Sequence, residues 1–361
     1  MKEIIYRGAI NALSFGNISY NLLREMYRKD MKVAFFPFGD KLAFDSFDKI
    51  EEDFKNWIIS SAQNRFKDVD LDTPSLSQWH LNGSESNIGS RPNLFTFHET
   101  DQVTEIEKSI GLLHENLILS SSHSLSKFKE AGLDNCHHVS IGFDEDFNPT
   151  NETYMEGKIH FGLMGKFEKR KNTGQILQAW AKKYGNNFKY QLSCCITNPF
   201  FKIDDMNKII AQALGNKVYG NINFLPHLKT NSEVNEFMNA IDIDLTGLSG
   251  AEGWNLPSFN STALGKWSIV MNHTSHKDWA NEKNCILVEP EFTSEIYDNT
   301  FFHKGQAFNQ GNMNGISEDN MISLFEKSEN FYQKPNKEGV KLKSKFTYSK
   351  TLNKLLKIIK L

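Results

Sequence analysis

Short apolar runs recur along the chain, and between them apolar residues return at helical spacing. The first pattern predicts buried strands and the second amphipathic helices. In the first half, Glu3–Tyr6, Lys32–Phe36, Asn93–Phe97, Asn116–Ser120 and His138–Ile141 read as strands. Helices are predicted over Tyr20–Arg28, where Ser19 is a start signal, from about Gln102, and over Ser124–Ala131. The small-residue segment from Gly8 to Asn17 reads as a loop, and residues 40–70 read as an acidic helix. Residues 72–93, rich in Ser, Asn, Gly and Pro, read as one long loop, either functional or mobile. In the second half, Lys158–Met164, Tyr190–Ile196, Asn223–Leu225, Ile243–Leu248, Ser268–Met271 and Cys285–Val288 read as strands. Helices between them include Thr173–Tyr184, Ser232–Ala240 and Pro257–Leu264. Strands alternating with helices in both halves predict an α/β protein with two open, Rossmann-like sheets facing each other. Ligands in such sheets sit beyond the carboxyl ends of the strands, here in the cleft between the domains.

The polar stretch Asp144–Tyr154, with Pro149, reads as the linker. The expected division is a first domain over 1–150, a second over 151–335, and a basic helix over 336–361. The length of 361 residues agrees with two domains, and 28 Phe and 6 Trp exclude a disordered chain. No apolar window reaches membrane-span length, and the start, Met1-Lys2-Glu3-Ile4-Ile5-Tyr6, has no leader-like apolar stretch. A cytoplasmic protein is expected, with peripheral membrane contact as an alternative. The four cysteines, Cys136, Cys194, Cys195 and Cys285, form no C-x-x-C pair, which favours a reducing compartment. His137-His138 and the pair His273 and His276 lack a second ligand pair, so no metal is expected.

The net charge of −3 hides a division. Residues 331–361 hold nine lysines against one glutamate, a net +8, which leaves −11 on residues 1–330. Leu352, Leu355, Leu356 and Ile359 make an apolar stripe in that basic tail. The stripe is either a packing face or part of a surface for an anionic partner.

Two segments carry candidate chemistry. Ser249-Gly250-Ala251-Glu252-Gly253-Trp254-Asn255-Leu256-Pro257 follows a strand and opens a helix that runs to Gly265. Glycines permit close backbone approach, and Pro suits the first helical position. Free N–H groups at a helix start suit a diphosphate. Glu252 beside such an anion site suits a hydroxylated ligand such as a sugar ring. Its plain alternative is a helix-start acid favoured by the dipole. Gly165-Lys166-Phe167-Glu168-Lys169-Arg170-Lys171-Asn172 puts four basic residues after a strand, where they bracket phosphates or form a solvated loop.

Together these segments resemble glycosyltransferases of the two-Rossmann-domain GT-B type, similar to glycosyltransferase family 4. The family's element E-G-F-G-L-P-x-x-E-A-M-A-x-G-K is matched by Glu252-Gly-Trp-Asn-Leu-Pro-Ser-Phe-Asn260-Ser-Thr-Ala-Leu-Gly265-Lys266. Its G-R-x4-K element is matched by Gly165, Lys166 and Lys171, and its T-x-H-(D/E) element by Thr96-Phe97-His98-Glu99. Its N-G-V-D-x-x-x-F-x-P segment resembles Ile141-Gly142-Phe143-Asp144-Glu-Asp-Phe147-Asn-Pro149. The motifs follow in the family's order and cover most of the chain, least well residues 40–93.

The resemblance implies a retaining, metal-independent hexosyltransferase with a UDP- or GDP-hexose as donor and no separate cofactor. By the same resemblance, Lys166 and Lys171 neutralise the diphosphate and Glu252 binds the transferred sugar's hydroxyls. Gly250 and the backbone of Gly253, Trp254, Asn255 and Leu256 hold the donor. Asn260 holds the ribose, and His98 touches the sugar from the first domain. Gly16 and Asn17 close over the phosphates or receive the acceptor, and the final helix crosses back to the first domain. His227 is a base-pocket candidate and His276 and Asp278 are contact candidates. Trp79 and His80, inside the long polar loop, read first as core or loop filler, with shaping the acceptor site as the alternative. Two positions depart from the family: Asn260 replaces its second Glu, and Lys166 its Arg. Asn accepts a hydrogen bond but is neutral, and Lys keeps the charge without the fork. The acceptor is a glycan or lipid-linked glycan, or alternatively hydroxymethylated DNA as for virus-type enzymes. A reading of another class is a non-catalytic nucleotide-sugar-binding protein.

Overall fold

A computed structural model describes residues 2–39, 41–67, 70–150, 152 and 154–361. Six strands make a first sheet: β1 (Glu3–Gly8), β2 (Lys32–Pro37), β3 (Ser75–Gln78), β4 (Pro92–Thr96), β5 (Asn116–Leu119) and β6 (Cys136–His138). Their order is β2-β1-β3-β4-β5-β6 and every pairing is parallel. A second parallel sheet contains β7 (Ile159–Met164), β8 (Tyr190–Cys195), β9 (Ile222–Phe224), β10 (Ile243–Asp244), β11 (Trp267–Met271) and β12 (Cys285–Val288). Its order is β12-β11-β10-β7-β8-β9. A small antiparallel hairpin, β13 (Phe292–Glu295) with β14 (Asn312–Gly315), follows. The continuous apolar runs of β7 and β11 suit parallel sheets covered on both faces. Strand order reverses between β7 and β10 in the second sheet, and between β1 and β3 in the first. The loops after those strands therefore flank the crevices where ligands bind such sheets.

The structure corrects several boundaries. The predicted acidic helix is confined to Glu52–Gln63, and residues 41–50 are irregular; residues 40, 68 and 69 lie outside the described residues. The long loop hides β3, whose Ser75-Leu-Ser-Gln78 is wholly buried. Only Leu76 is apolar, so no hydrophobic alternation marks it. Its polarity is only partly satisfied: Ser19 Oγ donates to Gln78 Oε1 at 2.9 Å, while Ser77 Oγ and Gln78 Nε2 have no hydrogen-bond partner among the described residues. Strand β10 stops at Asp244, and a tight turn over Thr246–Leu248 replaces the rest. Buried Asp244 ends it by accepting the Thr246 N–H at 3.1 Å and the Ser258 hydroxyl at 2.7 Å. Gly16 and Asn17 lie in the first turns of the helix Ser14–Arg28, not in a loop. Strands β13 and β14 are four residues each and β13 is largely exposed, so they left no periodic trace.

The segment read as the linker begins inside the core. Arg24 of the first helix places Nη1 2.6 Å from Asp146 Oδ1 and Nη2 3.2 Å from Asp144 Oδ1. Asn21 Nδ2 adds a bond to Asp144 at 3.0 Å. Residues 151 and 153 lie outside the described residues. The last helix, Tyr348–Ile358, and the turn after it bury Leu352, Leu355, Leu356 and Ile359 in one cluster with Tyr6, Ile18 and Leu22. The apolar stripe is thus consumed by packing. Gly142 permits the crossing, since a β-carbon there would sit 2.3 Å from the Tyr348 nitrogen. The same cluster includes Trp254, Phe259 and Trp279, so one apolar core joins the two sheets' layers.

Candidate functional site

Two loops at the β7/β10 crevice build the site. After β7, Gly165 adopts a φ of +126°, which favours glycine, and the chain doubles back so that Lys171 lies beside it. Asn172, left-handed at φ 54°, starts the helix Thr173–Tyr184 and donates from Nδ2 to the Leu248 carbonyl at 2.8 Å. That bond ties the loop to the turn after β10. There Asn255, left-handed at φ 65°, caps the helix Leu256–Ala263, with Pro257 in its first turn.

Five side chains from these loops form a line of alternating charge. Lys166 Nζ lies 3.0 Å from Glu168 Oε1, and Glu168 Oε2 lies 3.1 Å from Arg170 Nη2. Arg170 Nη1 lies 3.2 Å from Glu252 Oε2, and Glu252 Oε1 lies 2.6 Å from Lys171 Nζ. Ser249 Oγ also donates to Glu252 Oε1, at 2.8 Å. Burial alone would raise the pKa of Glu252, but Lys171 and Arg170 outweigh it and hold the carboxyl well below its usual range. Glu168 is likewise held down by Arg170, Lys171 and Lys166 against its burial. Arg170 is buried and its charge is secured by the two glutamates. Lys166 also lies over the rings of Phe200 and Phe301, at 5.3 and 4.7 Å.

Two buried histidines support the turn from behind. His273 Nε2 lies 2.8 Å from the Ser249 carbonyl, and burial pushes its pKa down to about 3. His276 Nδ1 lies 2.8 Å from the Met271 carbonyl, and its Nε2 lies 2.9 Å from Asn255 Nδ2. Burial lowers its pKa too, so the neutral ring accepts from Asn255 while donating to Met271.

A cavity of about 150 Å³ opens beside the turn, lined by Asn17, Met164, Leu228, Lys229, Leu256 and Asn260, among others. Asn260 is buried, and its Oδ1 has no hydrogen-bond partner in the protein. An orphaned acceptor in a cavity wall is a place for a ligand hydroxyl.

The structure brings Glu252, Lys171 and, through two intermediaries, Lys166 together, and it sets Leu256, Asn260 and Asn17 around the adjoining cavity. Other candidates take different places. Trp254 is buried among Phe259 and Phe346, so its ring belongs to the core. Asn255 is spent on capping and on His276. The expected row of free N–H groups is partly used: Gly250 donates to the Arg170 carbonyl at 2.8 Å and Glu252 to Thr274 Oγ1 at 3.3 Å. Gly253 faces the first domain, where Ser120 Oγ donates to its carbonyl at 2.7 Å. His98 is buried, with Nε2 3.0 Å from both Thr100 Oγ1 and the Gln102 carbonyl, and its ring stands edge-on to Phe128. Gly16 packs against Asn11. His227 is exposed, and the neighbouring Leu228 and Lys229 line the cavity instead. Asp278 accepts from the Ser122 N–H at 2.9 Å and pins the domain seam.

Glu168 was not among the expected site residues, and Arg170 was read only as one of four basic residues that bracket phosphates or form a solvated loop. Their signal was the acid inside the basic run, which marks a paired charge network and not a simple cation cluster. Among the described residues, no cluster of His, Cys, Asp or Glu is arranged to hold a metal ion, and the four cysteines are unbonded. No helix among them is long and apolar enough to cross a membrane.

No protein-family model and no curated relative matches the sequence. Solved structures do match in fold. Sucrose-phosphate synthase from Thermosynechococcus elongatus superposes with a TM-score of 0.69 at 11% identity, over 100% of this chain and 98% of that one. Anabaena HepE, solved with UDP and glucose, gives 0.65 at 12% identity over 100% of both chains. A UDP-forming trehalose-phosphate synthase from Burkholderia xenovorans gives 0.66 at 9%, over 100% and 99%. The chain therefore has the GT-B fold, two Rossmann-like domains across a cleft, which these glycosyltransferases share.

Proposed function

We propose that the protein is a retaining glycosyltransferase that moves a hexose from a UDP- or GDP-hexose to a hydroxyl group of a glycan. The observation that supports this best is the carboxylate of Glu252 held between Lys171 and Arg170 beside a cavity whose wall carries the unpartnered Asn260. In this reading the donor nucleoside occupies the cavity, widened by domain opening, and Asn260 accepts from a ribose hydroxyl. The diphosphate meets Lys171 and Lys166, which stabilise the leaving nucleoside diphosphate as the glycosidic bond breaks. Glu252, released from Lys171, accepts from the hexose hydroxyls while Arg170 and Ser249 keep it ionised and aimed. The two lysines and the start of the helix Leu256–Ala263 supply the charge stabilisation, so the reaction is proposed to be metal-independent. The four unbonded thiols suit a cytoplasmic setting.

The test is a thermal-shift panel of nucleoside diphosphates followed by transfer assays with labelled nucleotide sugars. One diphosphate should stabilise the fold by mass action, and its hexose conjugate should be turned over with the anomeric configuration kept. Stabilisation without turnover would favour a binding protein. Indifference to every nucleotide would refute the assignment.

A further inference from the structure

The first-domain side of the cleft carries an aromatic wall. Phe38 follows β2, Trp79 and His80 follow β3, Phe97 follows β4, and Phe15 lies in the first turn of the helix after β1. All therefore stand at carboxyl ends of the first sheet, around its β1/β3 reversal. The rings form one cluster. Phe15 lies 4.2 Å from His80, 5.0 Å from Phe97 and 5.6 Å from Trp79, and Trp79 stacks on Phe38 at 4.5 Å and 21°. Phe15, Phe38 and Trp79 are only partly buried and belong to none of the hydrophobic core clusters. Folding does not account for so much aromatic surface left at a cleft edge.

The wall adjoins the donor side directly. A β-carbon on Gly253 would lie 2.8 Å from Cβ of Phe97, so Phe97 touches the turn that carries Glu252. His80 has Glu99 and Lys166 as its charged neighbours, and Lys166 belongs to the loop assigned to the diphosphate. The charges against the wall are few. The Arg7 guanidinium lies 4.8 Å over Phe38 and is engaged by the Ser86 carbonyl, and Glu99 and Lys166 offset each other. The chain's excess of lysine lies instead in residues 331–361.

We propose that Phe15, Phe38, Trp79 and His80 form the acceptor platform, and that the acceptor is an uncharged saccharide rather than a phosphodiester chain. A pyranose offers C–H faces that pack on aromatic rings and hydroxyl edges that bond to an imidazole or carboxylate, here His80 and Glu99. A phosphodiester chain would need a row of cations that this wall lacks. The inference rests on the donor-site reading given above, narrows its glycan acceptor to an uncharged one and assigns the residues that hold it.

The experiment measures transfer from the donor found in the nucleotide panel to neutral oligosaccharides and to hydroxymethylcytosine DNA. The wild-type protein should use a neutral saccharide and show no transfer to the DNA. Trp79→Ala should raise the acceptor KM about ten-fold, with the donor KM within about two-fold, and Trp79→Phe should restore most of the loss. Circular dichroism of each variant separates lost binding from lost folding, and Phe38→Ala repeats the test if Trp79→Ala does not fold. Transfer to the DNA, or an acceptor KM unmoved by both alanine variants, overturns the proposal. Donor hydrolysis with no saccharide accepted defeats this inference and leaves the donor site standing. Absence of both binding and hydrolysis of nucleotide sugars defeats the donor reading and this one with it.

Discussion

Lys171 Nζ and Glu252 Oε1 are 2.6 Å apart, an ion pair joining the loop after β7 to the turn after β10. Each satisfies the other without ligand. Under the proposed function a donor diphosphate would compete for the lysine, leaving Glu252 to Arg170 at 3.2 Å and Ser249 at 2.8 Å. The pair would then be an exchange point as well as a structural tie.

Lys171→Met should weaken nucleoside diphosphate binding and lower kcat/KM together, because it removes charge proposed to face the phosphates in both states. Glu252→Gln should keep diphosphate affinity within a few-fold but lower kcat by about 10²–10³, the scale of losing one group that stabilises the transition state. Calorimetric titration and steady-state kinetics on the two variants separate these outcomes. Equal kcat in Glu252→Gln and wild type would remove Glu252 from the mechanism.

Arg170 balances two buried glutamates. Arg170→Met leaves Glu168 only its pair with Lys166 and Glu252 only its pair with Lys171, and should destabilise the fold by about 1–3 kcal/mol in urea unfolding. Adding Glu168→Gln removes one of these under-compensated charges, so the double variant should recover part of that loss. A double variant no more stable than Arg170→Met would show that Glu168 and Arg170 are not coupled.

Asn260→Ala should weaken nucleoside diphosphate binding about five-fold, the worth of about 1 kcal/mol for one hydrogen bond. The same change should leave unfolding free energy nearly unaltered, since Oδ1 has no partner in the protein to lose. A larger loss of stability than of affinity would place Asn260 in the fold and not in the site.

Acid should destabilise the protein before its carboxylates titrate. Burial pushes His273 down to about 3 and His160 down to about 4, so both stay neutral in the folded state over most of the acid range. The unfolded chain protonates them near pH 6.5, so between that value and the folded pKa it binds more protons. Stability is therefore full above about pH 6.5 and falls as pH drops, by at most about 1.4 kcal/mol per pH unit for each ring. Glu252, held low, adds a further loss only below the ordinary carboxylate range. The melting temperature should be level from about pH 7 to 8 and decline from about pH 6.5 to 4. A level profile down to pH 4 would contradict the burial of these histidines.

Much of the fold was legible because parallel strands buried on both faces are usually rich in apolar residues. β7, β11 and β12 announce themselves this way. β3 does not, because its neighbours β1 and β4 bury it although Leu76 is its one apolar residue. The aromatic wall was partly visible as Trp79 and His80. Phe15 and Phe38 join it only through the order of the first sheet.

Residue types and their local spacing were enough to mark two charged, glycine-bearing loops after strands, and hence to propose an anion site with a carboxylate beside it. Local sequence could not say which charge meets which. Lys171 and Glu252 are 81 residues apart, and Arg170 and Asn172 reach across the same interval. They meet because β7 and β10 are adjacent in the sheet, although β8 and β9 lie between them in the chain. Tertiary pairing also decided that Trp254 is core and that the tail's apolar stripe is consumed. A side chain's chemistry is a local property, but its partner and its exposure to water depend on every element packed around it.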